Sequence, residues 1–157
     1  MSITKAFRSI TAFALASSAL AACASPGSSP TDSMAAGGNV VAVTLQEWAV
    51  LPSPSSASAG EITFQVTNDG PEDIHEFVIL RTDLDPAELP TDENGAVTEE
   101  GEGIEVIDEI EDIPVGETQE VTVTLEAGNY VLLCNVYGEE EDEAHYMMGM
   151  RVAFPVQ

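Results

Sequence analysis

Outside its first 30 residues, this 157-residue chain offers few soft metal donors: one thiol, Cys134, two imidazoles, His75 and His145, and the thioethers of Met34, Met147, Met148 and Met150. Two histidines, one cysteine and a weak thioether suit copper cycling between its two oxidation states. Thiolate and thioether favour the cuprous ion, and imidazole serves both states. A compromise geometry that changes little between states keeps the barrier to electron transfer low. A structural zinc site normally takes four strong Cys or His ligands, so zinc here would need a carboxylate or a water to complete three. Taken singly, each residue has a plainer reading. A strand histidine can be satisfied in the core, and a lone cysteine is commonly a small buried hydrophobe.

The elements that must bring these residues together read as strands. In Val40 to Trp48, Val41, Val43 and Leu45 alternate with Ala42, Thr44 and Gln46, the two-residue period of a half-buried strand. Pro52 to Ser56 breaks that run. Glu61 to Thr67 carries Ile62, Phe64 and Val66 on one face, and Asn68-Asp69-Gly70-Pro71 is a turn cluster. His75 to Leu80 places His75, Phe77 and Ile79 on one side. Strands are also expected over 105–110, 119–125, 130–134 and 150–156, the last with Pro155 marking an edge or terminus. Seven or eight short strands with frequent turns imply an all-β sandwich or barrel. The polar, acidic stretch from Arg81 to Gly103 is expected to be a surface excursion with one helical turn. Cys134 ends one strand, His145 and Met150 precede or begin the next, and His75 opens a much earlier one. The ends of neighbouring strands can converge at one pole of a sandwich, which suits a loop-borne metal site.

The segments around these residues resemble the copper loop of cupredoxins, the blue type 1 copper proteins of the plastocyanin and azurin superfamily. The resemblance lies in YVLLCNV over 130–136 and HYMMGM over 145–150, with Asn68-Asp69-Gly70 and His75-Glu76-Phe77 upstream. It covers 40–157 apart from the acidic excursion. It implies a cupredoxin-like Greek-key sandwich in which His75 and His145 supply nitrogens, Cys134 the thiolate and Met150 the long axial contact to one copper ion. Ten residues separate Cys134 from His145, more than in the short form of this loop. The extra segment, 139–144, either bulges outward and leaves both ends in place or pulls His145 off the metal. Its negative charge should favour Cu(II). Met147 and Met148 are expected to form an apolar rim around His145.

The start of the chain reads as an address. Lys5 and Arg8 precede a short apolar run from Ile10 to Leu20, and Leu20-Ala21-Ala22-Cys23 resembles a bacterial lipobox. The expected division is a lipoprotein signal peptide over 1–22, a lipidated Cys23 with a flexible Gly/Ser/Pro-rich linker over 23–39, and the domain over 40–157. Ala24 after the cysteine favours the outer membrane over the inner, with the domain facing the periplasm. Without residues 1–22 the chain keeps 2 basic and 28 acidic side chains, a formal charge of −26, because the removed segment holds Lys5 and Arg8 and no acid. Such a surface repels nucleic acid and anionic lipid headgroups, which excludes both as direct partners. Contact with a membrane is expected through the lipid anchor only.

These features point to a one-electron carrier that meets a basic redox partner, such as a c-type cytochrome or a membrane oxidase, as a monomer. Copper handling as a chaperone, buffer or sensor would use the same ligands, and a copper-free cupredoxin-like binding module would keep the fold alone. No enzyme is expected. There is no Ser-His-Asp set or phosphate-binding glycine loop, and two histidines leave none for the further copper centres that oxidases and nitrite reductases of the superfamily require.

Overall fold

A computed structural model describes residues 39–138 and 142–157. The expected signal peptide, Cys23, nearly all of the linker and the first half of the acidic insert lie outside the described residues. Two four-stranded sheets face each other. In chain order the strands are β1 (Asn39–Gln46), β2 (Ala49–Ser53), β3 (Gly60–Asn68), β4 (His75–Arg81), β5 (Glu105–Ile113), β6 (Thr118–Leu125), β7 (Gly128–Leu133), β8 (Tyr137–Gly138), β9 (Glu143–Ala144) and β10 (Arg151–Val156). One sheet runs β2-β1-β3-β6 and the other β10-β7-β4-β5, with β8 and β9 paired as a separate ribbon. β1 lies parallel to β3, and the remaining pairs are antiparallel. The chain passes between sheets after β3, β5 and β6, so the fold is the expected Greek-key sandwich.

Alternation decides which faces meet. Val41, Val43 and Leu45 from β1, Ile62, Phe64 and Val66 from β3 and Phe77 and Ile79 from β4 pack into one core with Phe154 and Cys134. Phe64 stands at its centre, 5.4 Å from the ring of Phe77 and 5.5 Å from that of Phe154, separations at which tilted aromatic pairs are favourable. The sequence reading stopped the first strand at a proline-rich break. The structure instead turns the chain at Glu47-Trp48 and returns it as β2, whose Pro52 lies on the sheet edge, where a missing N–H costs nothing.

The stretch 82–104 corrects another expectation. It holds no helical turn among the described residues, and it is more than a surface excursion. Leu89 and Val97 are buried against Val78, Leu80, Val131, Leu133 and Tyr146, making a second apolar cluster on the outer face of β4 and β7. This explains why Val78 and Leu80 are buried alongside Phe77 and Ile79: β4 is covered on both sides. The segment is held as a chain of turns, with Asp92 Oδ1 accepting from Asn94 N at 2.9 Å and Ala96 N at 3.0 Å, the local side-chain bonding that suits Asp to turns.

Truncating Leu89 to Ala should therefore behave as a core cavity mutation. The expected loss is about 2–5 kcal/mol of unfolding free energy, read as a lowered denaturant midpoint. A loop residue on a solvated excursion would cost almost nothing.

Candidate metal centre

Antiparallel pairing puts the start of β4 beside the end of β7. Val78 pairs with Leu133, so His75 and Cys134 overhang the same end of the sheet. β10 begins there as well, with Arg151 opposite Leu133, and β1 and β3 both end at the same pole, with Leu45 opposite Asn68. A register shift on β5 opposite His75 and Phe77 introduces an extra residue beside the ligand strand, where Asp112 takes a positive φ of 49°. Bulges of this kind redirect side chains at the ends of sheets.

His75, Cys134 and His145 converge in this pole, and all three are buried. His75 Nδ1 is 3.2 Å from His145 Nδ1, and Cys134 Sγ lies 3.8 Å from the former and 3.5 Å from the latter. A circle through three points with these separations has a radius of about 2.0 Å, close to the metal–nitrogen bond length and slightly short of the metal–sulfur one. One ion thus reaches all three donors without moving any of them, and the residues fit the group. Met150 is fully buried and shares the core cluster with Cys134. Its carbonyl accepts from Cys134 N at 3.0 Å and its N–H donates to the His145 carbonyl at 3.1 Å, so its backbone is tied to two of the donors. Met147 and Met148 face solvent, 59% and 43% exposed, as expected for a rim beside His145.

The long loop between Cys134 and His145 does not displace the histidine. Tyr137 and Gly138 pair with Ala144 and Glu143 as the β8–β9 ribbon, and His145 N donates to Val136 O at 2.9 Å. The ribbon closes the described base of the acidic insert and delivers His145 into a single helical turn, His145–Met148. The sequence reading had placed this residue in a connection before the last strand.

The 82–104 segment clasps both flanks of this loop. Asn135 Oδ1 accepts from Val97 N at 2.6 Å, and its Nδ2 donates to Val97 O and to a Glu99 carboxylate oxygen, each at 3.1 Å. Tyr146 Oη donates to Pro86 O at 2.8 Å and accepts from Leu89 N at 3.1 Å. On the other ligand segment, buried Asn68 donates through Nδ2 to Asp73 O and Ile113 O and accepts at Oδ1 from Gly70 N, each at 2.8 Å. Gly70 has φ +41°, and a Cβ there would lie 2.7 Å from a Val115 methyl, so a side chain there would be strained and would have to displace Val115.

Two site residues escaped the sequence reading. Trp48 packs edge-on against the His145 ring, with centroids 5.0 Å apart, and the Glu47 carboxylate stands 3.8 Å from His75 Nε2. Nothing marks Glu47 among 28 acids. Only the turn after β1 brings it to the pole.

Electrostatics prepares the donors differently. Burial pushes the Cys134 thiol up to about 12, against the opposing pull of hydrogen bonds from backbone N–H groups; that of Glu76 reaches the sulfur at 3.2 Å. Burial also lowers His75, helped by the neighbouring His145 and opposed by Glu47 and Asp73, which keeps its nitrogen available as a neutral ligand. Next to His75, Glu76 is raised to about 7, first by burial and then by the charges of Glu109, Glu99, Glu111 and Asp112.

The described chain thus has the cupredoxin fold, with a buried His-Cys-His cluster at one pole of its sandwich. It is similar to auracyanin from the photosynthetic bacterium Roseiflexus castenholzii, at 21% identity and a TM-score of 0.53, covering 76% of this chain and 98% of that one. It is also similar to auracyanin A of Chloroflexus aurantiacus, described as a "blue" copper protein, at 23% identity and a TM-score of 0.51, covering 77% and 100%. Auracyanin B aligns at 19% identity and a TM-score of 0.51, over 76% and 88%. No family model and no curated protein matches the sequence.

Two outcomes follow from the titrating groups. Because Glu76 titrates higher in the fold than its ordinary 4.5, its contribution to stability is full below that value and is lost as pH rises through about 7. Glu76→Gln should therefore raise the melting temperature at pH 8 and change it little at pH 4.5. Between pH 8 and 10 a metal must displace the Cys134 proton, so the affinity for a redox-silent ion such as Zn(II) should rise about tenfold per pH unit, measured against a competing chelator of known pH dependence. A pH-independent affinity would mean that the thiol is not a ligand.

Proposed function

We propose that the protein is a type 1 copper protein that carries single electrons in the periplasm. The observation that supports this most is the triangle of His75 Nδ1, His145 Nδ1 and Cys134 Sγ, with edges of 3.2, 3.5 and 3.8 Å, set in a buried pole beside Met150. The donor set of two imidazoles, one thiolate and a thioether is the one that suits copper, and auracyanin A, similar in fold, is described as a "blue" copper protein. Copper bound here would supply reversible one-electron chemistry.

The chain's own residues do the rest. Cys134, His75 and His145 stand at bonding separations in advance, so the donors need little rearrangement. The Glu76 N–H directed at Sγ stabilises the thiolate, since hydrogen bonds to the charged form favour it. The core around Cys134 and Met150 excludes water. His145, held close to the surface between exposed Met147 and Met148 and the depression lined by Ile74 and Val136, offers the short path to a partner. No substrate binds or is transformed.

A partner with a basic face, such as a c-type cytochrome or a membrane oxidase, fits the acidic surface, and its association rate would fall with salt. Lipidation at Cys23 and the linker to residue 39 would tether a monomeric domain on the periplasmic side, at the outer rather than the inner membrane.

The test is to add Cu(II) to the purified protein and to its Cys134→Ala variant. Expected is an intense visible thiolate-to-copper band that is absent from the variant, with metal retained after dialysis and reversible reduction. A protein that takes no copper would be a cupredoxin-shaped binding module. Copper retained only as Cu(I) and passed readily to an acceptor would identify a copper-handling protein.

A further inference from the structure

We propose that Glu47 is a positioning residue for the metal centre, acting through His75; the proposal rests on the copper reading above. The side chain of His75 is wholly buried, and that of Glu47 is 10% exposed. His75 Nδ1 faces Cys134 Sγ and His145 Nδ1, which leaves Nε2 pointing away from the cluster. A neutral imidazole that offers Nδ1 to a metal carries its hydrogen on Nε2. Among the described residues that atom has no hydrogen-bond partner, and the same is true of Glu47 Oε2, also buried. The two orphaned groups are neighbours, with Glu47 Oε1 3.8 Å from His75 Nε2. Buried polar groups are almost always satisfied, and each exception calls for a reason.

Glu47 is not a loose side chain. Its Oε1 accepts from the backbone N–H of Asp73 at 2.8 Å and of Glu72 at 3.1 Å. The carboxylate therefore clamps the loop that leads into His75, and it places a negative charge behind the imidazole. A small adjustment about its broad terminal torsion would close the 3.8 Å gap to the His75 N–H. The outcome is a carboxylate–histidine–metal relay of the kind that fixes a ligand's tautomer and raises its basicity. Charge donated through His75 stabilises the more positive oxidation state, so Glu47 sets how strongly the site prefers Cu(II) over Cu(I). Two other groups act on the same ring: the His145 imidazole disfavours charge on it, and the Asp73 carboxylate on its own loop favours it.

Glu47→Gln tests this, because an amide keeps the shape and the acceptor for Asp73 and Glu72 while removing the charge. Cu(II) affinity should fall 10- to 100-fold with a much smaller loss for Cu(I), and the reduction potential should rise accordingly. Glu72→Gln, which removes an exposed charge from the same loop, should leave both affinities nearly unchanged. An equal Cu(II)-to-Cu(I) affinity ratio in wild type and Glu47→Gln overturns the proposal, as does an equal effect of Glu72→Gln. Nitrogen-15 spectra of the metal-free protein supply the independent readout: His75 should hold its proton on Nε2 in wild type and lose that preference in Glu47→Gln. If wild type took up no copper, the copper reading would fail, and the tautomer measurement would still decide whether Glu47 orients His75, an unchanged tautomer counting against it.

Discussion

Two imidazoles and a thiol lie buried within 3.8 Å of one another, and the rest of the structure is organised around keeping them there. Such a cluster does not assemble itself. Burial leaves the thiol protonated to about 12, and burial followed by the proximity of His145 discourages charge on His75. The donors are held by their backbones. Cys134 and His145 are each bonded to Met150, His145 also to Val136, and the loop before His75 is stitched by Asn68 and clamped by Glu47. A scaffold that fixes ligands independently of the metal is what a low rearrangement barrier demands.

The acidic segments take their meaning from the same constraint. The 82–104 stretch contributes Leu89 and Val97 to a second apolar cluster, and Asn135 and Tyr146, the neighbours of two ligands, are tied to its backbone. It spends its acids outward and its few hydrophobes inward, which lets β4 be buried on both faces beside the metal pole. Burial, and then the charges of Glu109, Glu111 and Asp112 on β5 together with Glu99 from this stretch, hold Glu76 near 7. Negative charge is thus concentrated close to a site whose donors suit copper, where it would favour the more positive state of a bound cation.

β1, β3 and β6 were legible because each shows a two-residue period between turn signals, and the soft donors because they are so few. The loop from 139 to 144 left two readings open in the sequence. The pairing of Tyr137 and Gly138 with Ala144 and Glu143 favours the one in which His145 stays in place. β2 was missed because its prolines read as a break, and proline is tolerated at a sheet edge that only the assembled topology defines. The inward role of Leu89 and Val97 was missed because isolated hydrophobes in an acidic, turn-rich stretch show no period.

By itself the sequence determined an all-β chain, a pattern of inward faces, and a set of soft donors, His75, Cys134, His145 and a few methionines, whose chemistry suits copper, with Met150 marked among the thioethers by the resemblance to cupredoxins. It could do so because periodicity and ligand softness are properties of residue type and local order. Tertiary structure alone decided that Nδ1 of both histidines faces the sulfur, that Trp48 edges His145 and that one glutamate of 28 acids stands behind His75. Those facts depend on how β1, β4 and β7 end at a common pole. Contacts such as Glu47 to His75 and Trp48 to His145, 28 and 97 positions apart, are set by strand register, which no local pattern records.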